Sequence, residues 1–131
     1  MTASSTQSII RALVQAHADW PLADEVTLVD QAQARTFSGR HSVRDFLLAL
    51  YVDAFQDAQL EVCCIAAGES AAAVEYVLRG RHAGDFAGIP PTGRAVVLPM
   101  ALVCQIAAGQ VYRASLYYDA GTLLRQLGMA L

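Results

Sequence analysis

Strand-forming segments fill most of the second half of the chain and constrain its fold more than any other feature. Turns at Gly68 and Gly109 and a Gly/Pro loop from Phe86 to Gly93 separate these segments. From Gln59 onward they read LEVCCIAA, AAVEYVLRGRHAG, RAVVLPMALVCQI and VYRASLYYD. Consecutive strands with short connections pair as an antiparallel meander. We therefore predict one antiparallel sheet over this part of the chain.

Helical patterns precede and follow this sheet. Apolar residues at helical spacing predict a first helix from about Ser5 to Ala18. A wide apolar face predicts a second helix after Gly39, with Ser42 as its N-cap. A last short helix is expected from Thr122 to Leu127, ending at Gly128.

Between the first two helices, the β-branched segment 26–30 predicts a strand, and the polar stretch DQAQARTFSGR a loop or short hairpin. The order helix, strand, helix, four strands and short helix describes an α+β fold. A curved sheet that wraps over helices in this way forms a cone with one open end.

The composition narrows the possible chemistry. The chain has 131 residues, and all nine of its bases are Arg, since Lys and Asn do not occur. This absence excludes Schiff-base catalysis, pyridoxal phosphate attachment and a phosphate-loop lysine. With 55% hydrophobic residues, the chain has an apolar surplus that suggests a lined cavity or an oligomer interface. The net charge of −3 argues against nucleic acid as a partner.

The cysteines and the apolar segments indicate neither a metal site nor a membrane protein. Cys63, Cys64 and Cys104 are odd in number and lack CxxC spacing, so we expect buried thiols and no metal. Nowhere does the sequence reach the ~18 to 20 apolar residues of a membrane helix, and its start lacks the basic residues of a signal peptide. We expect a cytoplasmic protein that does not enter a membrane.

Four short motifs carry a family resemblance. They are Phe37-Ser38-Gly39-Arg40, the segment HAGDFAGIPPTGR from His82 to Arg94, Tyr117-Tyr118-Asp119, and Gln126-Leu127-Gly128. Over roughly residues 24–129 the chain resembles the SnoaL-like polyketide cyclase (ester cyclase) family, within the ketosteroid isomerase and nuclear transport factor 2-like superfamily. The resemblance implies a cone-shaped α+β barrel of cystatin-like type around an apolar pocket. Family cyclases use a carboxylate there as general acid/base for an intramolecular aldol closure, without metal or organic cofactor.

We expect residues 1–131 to form a single SnoaL-like domain with a shortened N-terminal helical part. Family members usually place two helices before the first strand. Only about 25 residues precede Val26 here, enough for one helix and a turn. The pocket is then either more open than in the enzymes or closed by a second subunit, and we expect a homodimer.

Asp119 is the first candidate for catalysis, because the motif places the family's acid/base Asp on this residue. A carboxylate desolvated at the base of an apolar cavity has a raised pKa and can both accept and return a proton. Asp119 also directly precedes the last predicted helix. The alternative is therefore an N-cap, which would lower its pKa.

Asp30 is the second candidate, since ketosteroid isomerases carry their proton-abstracting Asp at the end of the first strand. The isomerases also need a Tyr from the first helix and a second, protonated carboxyl group. Here the first helix has no Tyr, and the matching position is Leu102, so steroid isomerisation is disfavoured. The alternative for Asp30 is a hydrogen bond to the polar loop that follows it.

The remaining candidates are one catalytic residue and three substrate contacts. His82 could shuttle protons, or it could fix the Gly/Pro loop by hydrogen bonding. Family cyclases place a His about 14 residues before the Asp, where this chain has Gln105, which can orient a carbonyl but cannot exchange a proton. Tyr118 and Phe86 are the other two predicted substrate contacts.

These observations predict a cofactor-independent enzyme that acts on an apolar, ketone-bearing small molecule by general acid/base chemistry. Aldol cyclisation, isomerisation and hydroxylation all remain open. The alternative is a non-catalytic module of the same fold that binds a small molecule or mediates dimerisation.

Overall fold

Six strands form a single mixed sheet in the order β2-β1-β6-β5-β4-β3. The structure is a computed structural model, and it describes residues 2–16 and 19–129. The strands are β1 (Leu22–Asp30), β2 (Arg35–Ser38), β3 (Phe55–Ala67), β4 (Ala71–His82), β5 (Ala95–Ala107) and β6 (Gln110–Tyr118). The helices are α1 (Ala3–Leu13), α2 (Arg40–Leu48), which continues as a π-helical turn (Ala49–Asp53), and α3 (Ala120–Gln126).

Strand pairing confirms the predicted meander and adds one parallel contact. β3, β4, β5 and β6 pair antiparallel in chain order. β1 and β2 form an antiparallel hairpin, and β1 pairs parallel with β6, with Asp30 opposite Leu116. The predicted α+β fold with a curved sheet is confirmed; β2 and β3 are edge strands, so the sheet does not close.

The first helix is shorter than predicted. Thr2 caps α1, because its side chain accepts a hydrogen bond from the Ser5 N–H. The helix ends at Leu13. His17 and Ala18, at the end of the predicted helix, lie outside the described residues. Ile10 and Leu13 are buried where α1 packs against β3 and β4, so this helix covers one end of the sheet.

The second helix begins earlier than predicted and changes its period. Gly39 is the N-cap, with φ of 91°, and Ser42 lies inside the helix. Glycine adopts this dihedral without strain, so the chain turns directly from β2 into α2. After Leu48 the helix is π-helical, so a backbone N–H bonds to the carbonyl five residues before it. The Ala54 N–H, for example, donates to the Ala49 carbonyl at 2.8 Å. Tyr51 lies in this π-helical turn and is 1% exposed, in the core.

Alternating residues of the sheet fill the inside of the cone. β5 shows the pattern most clearly, since every second residue from Val96 to Ile106 is buried. Tyr76 of β4 and Leu116 of β6 lie on the same inner face and are also buried. The interior is therefore a packed core into which a few polar groups project.

Only one cysteine is buried as predicted. Cys104 is on the inner face of β5, whereas Cys63 and Cys64 are both exposed. The pairing of β3 with β4 shifts between Val62 and Cys64, which makes a bulge at Cys63. The two neighbours thus escape the alternation that would bury one of them. Among the described residues, no helix combines the length and hydropathy that crossing a membrane requires.

Candidate active site

Asp30 carries a carboxylate that is buried in the interior of the protein. The burial pattern of β1 turns Val26, Leu28 and Asp30 inward, so the strand carries its last residue to the core face. Asp30 is 0% exposed. A buried carboxylate is costly unless hydrogen bonds compensate it, and the residues around Asp30 supply four.

Both carboxylate oxygens of Asp30 are fully engaged. Oδ1 accepts the backbone N–H groups of Ala32 at 3.0 Å and Gln33 at 3.1 Å. Oδ2 accepts the Gln33 side-chain amide at 2.7 Å and the Tyr118 hydroxyl at 2.8 Å. The Gln33 amide also donates to the Tyr118 oxygen at 2.9 Å. Asp30, Gln33 and Tyr118 therefore form a closed triad of side chains.

Tyr118 is the hydroxyl donor of this triad. It is the last residue of β6, which lies beside β1 in the sheet. Burial raises the pKa of Tyr118 well above its ordinary value, and the negative charge of Asp30 and the bond to it add to this effect, while the Gln33 hydrogen bond lowers it. The phenol thus keeps its proton at physiological pH and can donate a hydrogen bond to an oxygen.

A cleft of about 350 Å³ opens beside the triad. Gln33 lies in its wall, so this residue belongs to both the triad and the cleft. Phe37 and Phe46 stack at 4.5 Å between ring centroids, and the Arg35 guanidinium lies 5.0 Å from the centroid of Phe37. The other lining residues are Ser42, Asp45, Ala49, Asp85, Phe86 and Ala87. The cleft thus offers flat apolar surfaces with a polar rim.

Asp119 lies at the surface as the N-cap of α3. Its carboxylate accepts the Gly121 N–H at 3.1 Å and the Thr122 hydroxyl at 2.7 Å, and Arg125 lies 3.9 Å away. The Thr122 hydrogen bond first, then the Gly121 N–H and the Arg125 charge, lower the pKa of Asp119. An acid/base group would need a raised pKa. This geometry matches the capping alternative drawn from the sequence.

His82 holds the two ends of the Gly/Pro loop together. Its Nδ1 accepts the Thr92 N–H at 3.2 Å and lies 3.1 Å from the Thr92 hydroxyl. Its backbone N–H donates to the Arg94 carbonyl, and its carbonyl accepts from Gly93. Since Nδ1 accepts a backbone N–H, the ring proton is on Nε2, which is buried without a hydrogen-bond partner in the described part of the chain. These contacts favour the loop-fixing alternative over a proton shuttle.

The rest of the motif shapes the loop. A Cβ on Gly84 would lie 2.1 Å from the Asp53 carbonyl oxygen, so only glycine permits this approach. Phe86 and Ile89 exchange backbone hydrogen bonds of 2.9 and 3.1 Å in a tight turn. Phe86, which we predicted as a substrate contact, is buried and lines the cleft.

Gln105 lies away from the cleft and the triad. It is exposed on the outer face of β5, opposite Arg113 and Ala71 of the neighbouring strands. The alternation of β5 sends Cys104 and Ile106 inward and Gln105 outward. The structure thus brings together Asp30, Tyr118 and, through the cleft, Phe86, but not Gln105, Asp119 or His82.

Sequence reasoning missed two polar features of the interior. Gln33 stands three residues after Asp30 in a polar turn, and that spacing was the signal for it. The second is a pair of buried hydroxyls on Tyr51 and Tyr76, with oxygens 2.7 Å apart. Burial raises the pKa of both phenols. Tyr51 lay on the predicted apolar face of the second helix, but the sequence does not show that its hydroxyl meets that of Tyr76.

The described residues contain no group of three or more His, Cys, Asp or Glu side chains that could hold a metal ion. The triad itself offers a carboxylate and a phenol. A carboxylate can take a proton, and a protonated phenol can stabilise a negative oxygen.

The sequence profile of the SnoaL-like polyketide cyclases matches residues 10–127. The chain belongs to this family. Among curated proteins, no sequence matches the chain. The family assignment covers the hairpin that carries Asp30, the sheet and the final helix of this SnoaL-like protein.

Solved structures show the same fold for the SnoaL-like chain. A protein from Jannaschia sp. CCS1, assigned provisionally to the SnoaL-like polyketide cyclases, has a TM-score of 0.87 at 17% identity, covering 99% of this chain and 96% of its own. AclR of Streptomyces galilaeus, provisionally a hydroxylase, has a TM-score of 0.78 at 21% identity, with 99% and 89% coverage. A protein with a ketosteroid isomerase-like fold from Catenulispora acidiphila DSM 44928, in complex with trimethylamine, has a TM-score of 0.75 at 16% identity, with 99% and 96% coverage.

Proposed function

We propose that this protein is a cofactor-independent enzyme that performs general acid/base chemistry on an apolar, ketone-bearing small molecule bound in the cleft that Phe37, Phe46 and Phe86 line. Asp30 is the proton acceptor and Tyr118 the hydrogen-bond donor to the substrate oxygen. The observation that carries the proposal is the 2.8 Å hydrogen bond between these two groups beside the cleft. The proposal moves the acid/base role from Asp119 to Asp30.

The reaction begins with proton transfer from carbon. The Asp30 carboxylate takes a proton from the carbon next to a ketone, and the C–H electron pair moves onto the ketone oxygen to form an enolate. The Tyr118 hydroxyl turns from Asp30 to this oxygen and stabilises its charge. In a cyclisation, the enolate carbon then forms a bond to a second carbonyl carbon of the same molecule. The resulting alkoxide takes back the proton from Asp30, so the carboxylate is restored.

The first half of this reaction can be tested without the natural substrate. The probe is 1-tetralone, a flat aromatic ketone, whose α-hydrogens exchange with D₂O only after proton abstraction. Proton NMR would follow the loss of the α-hydrogen signal with wild-type protein, Asp30→Asn and Tyr118→Phe. We expect Asp30→Asn to abolish the protein-dependent exchange and Tyr118→Phe to slow it. Asp119→Asn is the matched control and should exchange at the wild-type rate; equal rates for Asp30→Asn and wild type would disprove the role of Asp30.

A non-catalytic binding protein is the second candidate, and the packed interior favours it. Asp30 already has four hydrogen bonds from the protein, and Gln33 stands between it and the cleft. A binding protein would bind 1-tetralone in NMR titration without accelerating exchange in any variant. This outcome would leave the cleft as a ligand site and remove the acid/base chemistry.

We propose in addition that two copies pack through the outer face of the sheet. Large apolar side chains are exposed there on β5 and β6, namely Val97, Val103, Tyr112 and Tyr117. Burying such a patch stabilises association in proportion to its apolar area. Light scattering after size exclusion should give twice the chain mass, and Val103→Arg should give monomers; a monomeric wild type at high concentration would disprove this. The cytoplasmic location stays a prediction.

A further inference from the structure

Two neighbouring thiols, Cys63 and Cys64, lie side by side on the outer face of β3. Val62 before them and Ile65 after them both pack against the core. In a regular strand, residues three apart point to opposite faces. The pairing of β3 with β4 shifts between Val62 and Cys64, and this bulge supplies the extra residue. Both thiols are therefore exposed on the same side of the sheet.

The two sulfurs can bond to one common atom. The Cα atoms of adjacent residues are about 3.8 Å apart, and both side chains leave the strand towards the same side. β3 is an edge strand, and β4 separates it from the apolar residues of β5 and β6 in the proposed dimer contact. An atom that bridges the sulfurs can therefore approach from solvent.

A direct bond between the two sulfurs is disfavoured. Disulfides usually join residues whose Cα atoms are about 4.4–6.8 Å apart, and adjacent residues are closer than that. An atom placed between the sulfurs lengthens the span and removes this constraint. The pair is therefore better suited to chelate a ligand than to form a disulfide.

The number of thiols limits which ligand the pair can hold. Structural zinc takes four protein ligands in a tetrahedron. The part of the chain that the structure describes has no group of three or more His, Cys, Asp or Glu side chains for a metal ion. The nearby Glu61 carboxylate is paired with Arg79 at 3.5 Å. Since thiols prefer soft centres, the ligand is a soft atom that needs only two sulfurs from the protein.

We propose that the β3 bulge makes Cys63 and Cys64 a dithiol site for trivalent arsenicals that carry one organic group. Arsenic(III) forms three bonds, of which the organic group takes one and the two sulfurs take the others. With an arsine oxide, two S–H bonds and the arsenic–oxygen double bond break, two arsenic–sulfur bonds form, and one water molecule leaves. Arsenic stays trivalent and neither sulfur is oxidised, so the step needs no oxidant or reductant.

The test measures how firmly the folded protein holds phenylarsine oxide against glutathione, a competitor with a single thiol. Native mass spectrometry gives the fraction of chains that carry one phenylarsenic group as the glutathione concentration rises. Cys63→Ser and Cys64→Ser each leave one exposed thiol. Because both positions are exposed, neither substitution should disturb folding.

Loss of either thiol should weaken the hold on arsenic. We expect the glutathione concentration that removes half of the phenylarsenic group to be at least about 100-fold lower for each single variant than for wild type. The reason is that only the pair forms its second arsenic–sulfur bond within one molecule. Equal retention by wild type and by the single variants would overturn the inference.

A second pair of adjacent cysteines tests the role of the bulge. In Cys63→Ser/Cys64→Ser/Val103→Cys, the introduced thiol stands next to Cys104 in β5, where burial alternates without interruption. Val103 is exposed and Cys104 is buried, so these two sulfurs point to opposite faces. This variant should lose the phenylarsenic group as readily as the single variants. Retention at the wild-type level would show that adjacency in sequence is enough and would overturn the role of the bulge.

Discussion

The Tyr118 hydroxyl donates a hydrogen bond of 2.8 Å to Asp30, a residue 88 positions away in the chain. The parallel pairing of β1 with β6 produces this contact, since it brings the C-terminal ends of both strands to the same side of the sheet. In an antiparallel pair, the two C-terminal ends would lie at opposite ends of the strands. The strand order thus places the Asp30 carboxylate and the Tyr118 hydroxyl side by side.

Loss of the Tyr118 hydroxyl should destabilise the protein. Tyr118→Phe removes one donor from the buried Asp30 carboxylate, and we expect the free energy of unfolding to fall by about 1–3 kcal/mol. Urea denaturation followed by circular dichroism would measure it. Tyr117→Phe is the matched control, because the neighbouring Tyr117 is exposed on the outer face, and it should change stability by less than about 0.5 kcal/mol. Similar losses in both variants would contradict the burial of the triad.

The capping role of Asp119 predicts a pH-dependent contribution to stability. Its pKa is lower in the folded protein than the ordinary 3.8, so its charge stabilises the fold above that pH. The contribution is lost as the pH falls through the lowered folded value. Asp119→Asn keeps the shape of the cap without the charge. Its Tm should lie below that of wild type at pH 7, and the difference should shrink as the pH drops below 3.8. A difference that grows towards acid pH would refute the role.

The three thiols should differ in reactivity. Burial raises the pKa of Cys104 to about 12, whereas Cys63 and Cys64 are exposed on β3. The thiolate is the reactive form, so Cys104 should resist modification in the folded protein. Ellman's reagent at pH 8 should titrate two thiols rapidly and the third only after unfolding. The double variant Cys63→Ser/Cys64→Ser should show no rapid phase, and a rapid phase in this variant would show that Cys104 is accessible.

The hairpin between β5 and β6 can be stabilised by one substitution. Ala108 and Gly109 have φ of 51° and 75°, a pair of positive values that type I′ turns require. Asn tolerates this conformation better than Ala, so Ala108→Asn should raise the free energy of unfolding by about 0.5–1 kcal/mol. Thermal denaturation would measure the gain. The control, Ala107→Asn, places the same side chain in the adjacent strand residue and should give no gain.

Much of the fold could be predicted from local patterns. The alternation of the segment 96–106 and the turn at Gly109 were enough for the meander, because both depend on neighbouring residues. The parallel β1–β6 contact could not be predicted in this way, since it joins segments more than 80 residues apart. The N-cap at Ser42 was wrong because Gly39 allows the helix to begin immediately after β2.

The candidate site could be predicted in its parts but not in its assembly. Asp30 and Tyr118 were both candidates, yet only the strand pairing shows that they touch. Gln105 was predicted as a substrate contact from its distance to Asp119 in the sequence, and such a distance does not show which face of β5 a residue occupies. The role of the family motif also became clearer at Gln126, whose amide binds both the N–H and the carbonyl of Val97 at 2.8 Å. Gln126 thus satisfies the hydrogen bonding of the β5 backbone at a position that β6 does not reach.

The π-helical turn between Leu48 and Ala54 has a consequence for how such a protein can change. One extra residue in a helical turn rotates every later side chain of that helix by about 100°. Deleting residue 49 or 50 would therefore turn Tyr51 away from Tyr76 and present a different side chain to the interior. The polar groups inside the cone can thus be exchanged by a one-codon insertion or deletion, while the sheet and its sequence stay the same.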